Sequence, residues 1–211
     1  GTDVDATDGD VTVAADSTTH IEAIGVGGGV ASKLGLSGSG SVVQAGNTVS
    51  ARIDATSAAR ATGNVQVAAS DDVDLFSLAG NVAGGGRGAL GLSSSTVITD
   101  NTVVARIDGS ASGRGDGTAM DVALGTRNAA GDAQHEARTG VAVSATSFET
   151  IETIAAGGAG AGSVGGAGSA TVTVLDETTT AALGASARIN AADDGVAGQD
   201  VLLRASDETT L

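Results

Sequence analysis

The sequence has no cysteine, proline, tryptophan or tyrosine, and its 211 residues include only two phenylalanines and one methionine. Each absence removes a class of explanation. Without cysteine there is no disulfide framework and no thiolate metal site. Without bulky aromatics, which normally supply large buried areas per side chain, no compact aromatic core can form. The core material left is Val, Ile, Leu and Ala, which suits a thin, repetitive cross-section. Basic charge is also scarce: Lys plus Arg is 10 against 25 Asp plus Glu, a net charge of -15, and the only lysine is Lys33. Nucleic acid and anionic membranes call for basic surfaces and are disfavoured as partners. No run of about 18 apolar residues is present, and the chain does not open on a basic stretch followed by an apolar one. We therefore expect neither a membrane span nor a signal segment within it. Zero cysteine fits the cytosol, and it equally fits very long exported bacterial proteins.

What is present is order. Hydrophobic residues make up 41% of the chain and fall in alternating runs, unlike the dispersed pattern of a disordered acidic segment. Val11-Thr12-Val13-Ala14-Ala15 returns as Val65-Gln66-Val67-Ala68-Ala69, as Val141-Ala142-Val143-Ser144-Ala145 and as Val201-Leu202-Leu203-Arg204-Ala205, at successive displacements of 54, 76 and 60. A second landmark keeps the same register: Asn47 to Asp54 (NTVSARID) recurs as Asn101 to Asp108 (NTVVARID), again displaced by 54. A degenerate third copy begins at Glu177, displaced from Asn101 by 76. The units are 11–64, 65–140, 141–200 and a partial 201–211. The second is the longer, and its excess is inserted near 109–140, between the second Ile-Asp landmark and the third Val anchor.

Within units the apolar period is two, as in Thr171-Val172-Thr173-Val174, and Gly, Asn, Asp and Ser punctuate the runs. That is strand patterning, and the glycines oppose a helical solenoid. The Gly-rich runs at 25–29, 84–88 and 155–168 recur at one position in each unit, so they belong to the repeat. The last, with Ala155 to Ser163 reading AAGGAGAGS, is silk-like and predicts close approach of stacked sheets. The fold class expected is all-β, a parallel β-solenoid forming an elongated rod. We expect about 20 residues per coil, roughly ten coils and about 50 Å of rod, with the insertion forming one added coil.

The pattern V-x-V-x-A, an alternating strand, a Gly-rich run and N-T-V-x-A-R-I-D resembles the repeats of filamentous-haemagglutinin-like giant bacterial adhesins and exoproteins. It is carried by Val11, Val13, Ala15, Gly27 to Gly29 and Asn47 to Asp54 with their copies. The resemblance implies a right-handed parallel β-helix, secretion to the cell surface or an extracellular filament, and a role in adhesion, biofilm or contact-dependent competition.

Chemistry-bearing motifs are few. Asp3, Asp5, Asp8 and Asp10 around Gly9 offer hard oxygen ligands and are calcium candidates, but their spacing is not that of an EF-hand and no GGxGxDx array accompanies them. Arg114-Gly115-Asp116, within the insertion, is an adhesion candidate on an expected projecting loop. It is short enough to arise by chance. His20 and His135 have no partner at metal-helix spacing. The Gly-rich runs are not followed by Gly-Lys-Ser/Thr, so they make no phosphate loop. The aromatic platforms on which sugars stack are missing. We expect no enzyme, no catalytic residues and no cofactor other than the calcium candidate.

The leading expectation is a structural shaft or filament segment of a large secreted surface protein. Its partners would be neighbouring copies, or continuation of the same repeat array, arranged head to tail, together with a host-cell or neighbouring-cell surface ligand. The alternative is a ligand-binding adhesin module with specificity in 109–140. An ice-binding face of stacked threonine has less support, because Thr-x-Thr is scattered.

Overall fold

The computed structural model describes residues 1–191 and 199–211. Among them there is no helix. The strands are β1 (Asp3–Ala6), β2 (Val11–Ala31), β3 (Leu34–Ile53), β4 (Ala58–Ala61), β5 (Val65–Gly85), β6 (Gly88–Ile107), β7 (Ser110–Gly113), β8 (Met120–Arg127), β9 (Ala133–Arg138), β10 (Val141–Ala161), β11 (Val164–Leu183), β12 (Arg188–Ile189) and β13 (Val201–Thr210). They form three parallel sheets, β2-β5-β10-β13, β3-β6-β11 and β1-β4-β7-β12, plus the separate hairpin β8-β9.

The architecture is a parallel β-solenoid, and the sequence displacement of 54 is its coil. One coil runs out along β2, reverses at Ser32-Lys33, returns along β3, turns at Asp54 to Ser57, and closes through the short β4. The next coil repeats this at the same register: Val11 lies beside Val65, Val65 beside Val141, and Val141 beside Val201. On the returning sheet Asn47 pairs with Asn101 and Asn101 with Glu177.

The coil is much longer than expected. Each long strand alone takes 20 or 21 residues without a break, because Gly and Ser inside the alternating runs are held in extended backbone instead of turning the chain. A strand of that length spans about 65 Å, whereas four levels spaced by about 4.8 Å rise only about 15 Å. The described stack is therefore broad and shallow.

The insertion is not an added coil either. A coil here needs two long strands and a corner, more chain than the insertion supplies. The insertion instead forms the antiparallel pair β8-β9, closed by a turn in which the Asn128 side chain accepts from the amides of Ala130 and Asp132.

The cross-section has a thick and a thin half. In the thick half alternate side chains enter the core: Val65, Val67, Ala69, Val103, Ala105 and Ile107 are buried, while Arg52 and Arg106 point outward. In the thin half, around the Ser32-Lys33 turn, the two broad sheets nearly touch. A Cβ on Gly25 would stand 2.7 Å from the carbonyl oxygen of Gly40, and Gly27 and Gly85 face Gly38 and Gly88 more closely still. Only glycine fits such an approach, and the recurrent Gly-rich runs are its sequence cause. Because inward positions there hold Gly, Ala, Ser and Asn, the large apolar side chains of this half face outward.

Candidate functional site

Two features stand out from the regular stack: a polar column inside it and the hairpin outside it. The column interrupts the apolar core between the cluster around Val65 and Val103 and the cluster around Leu75, Val97 and Ile151. Period-two alternation places Asp71, Ser147, Glu149 and Asn101 on the inward side of their strands, and all four are buried. The hydrogen bonds run from level to level. The Asn47 side-chain amide donates to Thr19 Oγ1 at 2.9 Å and to Asp71 Oδ1 at 3.1 Å, while its backbone N–H donates to Asn101 Oδ1 at 3.1 Å. The Asn101 side-chain amide in turn donates to Glu149 Oε1 at 2.9 Å, and Thr209 Oγ1 donates to Glu149 Oε2 at 3.3 Å.

No ion pair of the described residues involves Asp71, Glu149, Glu177 or Asp207. Carboxylates without a countercharge in a low-dielectric interior hold protons to higher pH. Burial, then the neighbouring Glu149 carboxyl and then Asp207, pushes Glu177 up to about 9. Burial also raises Asp71, and burial followed by Glu149 raises Asp207. At neutral pH Glu177 is therefore a neutral acid beside Glu149. Neighbouring carboxyl groups are chemically capable of acid-base work, but Glu149 is only 2% exposed and lies inside the stack.

The hairpin lies flat on the outer face of the β2-β5-β10-β13 sheet. Met120 and Val122 pack against Ala142 with Leu202 alongside, so β10 is buried on both faces from Val141 to Glu149. Arg127 sits 4.5 Å above the Phe148 ring, reaches Asp72 at 2.6 Å, and donates its backbone N–H to Glu208 at 2.9 Å. Arg204, from the fourth level, meets Glu136 at 3.3 Å, and Arg138 meets it at 2.6 Å. The Arg138 hydrogen bond holds Glu136 below the usual carboxylate range. One insertion thus touches three successive levels and clamps them.

The motifs named from the sequence lie elsewhere. Asp3, Asp5, Asp8 and Asp10 are exposed. Asp5 stands 3.8 Å from Arg60, and Asp10 accepts from the backbone and side-chain N–H groups of Asn64 at 2.6 and 3.0 Å. Among the described residues no three acidic or histidine side chains gather as a metal-holding group. Arg114, Gly115 and Asp116 do not project. Their amides donate to Ala61, Gly63 and Thr62, tying the tripeptide to the coil below, and Arg114 lies 3.6 Å from Asp116. His20 meets Asp74 at 3.2 Å on the surface, and His135 is exposed on β9. A groove of about 590 Å³ follows the corner turns and is lined mainly by Ala, Ser and Thr with Asp3, Arg60 and Arg188. It contains no nucleophile-base pair.

The interior column was missed in the sequence although a signal existed. Asp71 lies between Ala69 and Val73, and Glu149 between Ser147 and Ile151, both in the inward phase of their alternating runs. No family model, curated protein or solved structure matches the chain.

Proposed function

We propose that the chain is a structural shaft segment of a large secreted surface protein, supporting adhesion or cell contact by extension. One observation carries the reading. Equivalent residues stack in unbroken register through successive coils, Val11 on Val65 on Val141 on Val201, so nearly every residue serves contact between levels. Extended repeat arrays hold together through such nearest-neighbour contacts. The acidic exterior keeps such an array soluble. The resemblance to giant bacterial exoproteins supports export and a surface location. Head-to-tail continuation of the stack is part of the same proposal. Specificity in 109–140 has less support, since the insertion lies flat and clamps the coils.

Inserting a second copy of residues 11–64 between Asn64 and Val65 tests the reading. A modular shaft accepts the copy as one more level, raising its height by about 4.8 Å in small-angle scattering and raising the urea midpoint. An inserted copy that stays unstructured would overturn it.

A further inference from the structure

The outer face of the β3-β6-β11 sheet carries a broad uncharged patch on this acidic molecule, longer than the uncharged apolar stretch that Ile24, Val26, Val30 and Val82 form on the opposite sheet. From Leu34 to Gln44, Gly88 to Ile98 and Val164 to Val174, no charged residue occurs on any of the three levels. Lys33 and Arg87 border the patch at its turn end, and on the other side charge resumes with Asp100 and Asp176. Large apolar side chains stand out from this patch: Leu36 is 64% exposed, Val42 75%, Leu92 53% and Val164 72%. The thin half produces this arrangement, because its glycine interior leaves the leucines and valines nowhere to go but outward.

Summed over the patch, the exposed apolar area is on the order of 500 Å², taking about 120 Å² for a fully exposed aliphatic side chain. That is at the size where an exposed patch marks an interaction site. Doubled by a twofold contact, it reaches the roughly 1,000 Å² that a specific interface needs. The patch is also self-complementary in relief. In register with Leu92 lie Gly38 on one side and Gly168 on the other, and Gly166 lies beside Leu90. Knobs and gaps therefore share one flat surface, as an isologous contact requires.

We propose that this face binds the same face of a second copy, joining two shafts side by side. The inference rests on the shaft reading and names its lateral partner. An apolar ligand such as a lipid surface would use the same side chains, but a net charge of -15 opposes approach to an anionic bilayer.

Sedimentation equilibrium of the whole chain, from micromolar to several hundred micromolar, tests it beside two variants. The wild type is expected to dimerise. Leu92→Asp, at an exposed site, is expected to keep the wild-type circular dichroism and raise the dissociation constant about 100-fold. Thr102→Asp, on the same sheet face outside the patch, is expected to leave the constant unchanged. Should Leu92→Asp misfold, Leu36→Asp, also at an exposed site, replaces it. A monomer at every concentration would overturn the proposal. So would association that Leu92→Asp does not weaken; that outcome would put the contact at the ends of the stack or on the opposite sheet and leave the shaft reading standing. Flotation of the wild type with phosphatidylcholine vesicles, without self-association, would assign the face to lipid and overturn the proposal too.

Discussion

Glu177→Gln is the most informative substitution, because the interior column makes the fold respond to pH in a sense opposite to common acid denaturation. Glu177 titrates at about 9 in the folded chain against 4.5 ordinarily. Between those values the native state holds a proton that the unfolded chain has released, so stability falls as pH rises through the window. The unscreened value is about 1.4 kcal/mol per unit. Glu177 is only partly buried, and solvent screening reduces the effect to on the order of 2 kcal/mol between pH 5 and 9. Asp71 and Asp207, also raised, add in the same direction at the acidic side of the window. Glu136, held low by Arg138, acts oppositely, and its contribution is lost only as pH falls through its depressed value. Urea midpoints at pH 5, 7 and 9 read the balance, which should be highest near pH 5. Glu177→Gln keeps a neutral side chain of the same shape and should flatten most of the decline. A midpoint that rises from pH 5 to 9, or a decline of equal size in wild type and Glu177→Gln, would refute the reasoning.

Three further outcomes follow from the packing. Ile107→Asp places a charge in the buried core and should cost more than about 3 kcal/mol in urea denaturation, whereas Arg106→Asp, on the outward side, should cost under about 1; equal losses would contradict the register. Val122→Asp should release the hairpin, seen as fast hydrogen exchange of the Met120–Arg127 amides, while β5 and β6 remain protected. Gly27→Val drives a side chain into the Gly38 carbonyl and should lower the melting temperature by well over about 5 °C, while Gly160→Ala, which meets nothing within 4 Å, should move it by about 2 °C or less.

The fold class was legible because its signals are local. Alternation in Val65-Gln66-Val67 gives strands, and the recurrence of Val11 at 65, 141 and 201 gives the stacking partners. Coil length was not legible, because Gly and Ser signal turns in most strands, whereas here Gly25 to Gly29 and Ser37 to Ser41 remain extended where two backbones meet. The true coil was already present in the step from Val11 to Val65. The insertion was found by subtraction, but its form depends on the long β10 surface that Met120 and Val122 cover. The buried polar column was hidden because Glu177 is unremarkable alone; it matters only through Glu149 and Asp207 on neighbouring strands.

One coil runs the whole way from Val11 to Asn64 before Val65 takes up the same register, and engineered disulfides test this spacing, since the chain has no native cysteine. Thr48 and Thr102 are in-register neighbours on the outer face, so their Cα atoms lie about 4.8 Å apart, within the range a disulfide spans. The double variant Thr48→Cys, Thr102→Cys should oxidise fully and raise the melting temperature. Thr48→Cys with Ala68→Cys, adjacent only in a solenoid of short coils, should stay reduced. Bridging of the second pair and not the first would contradict the account.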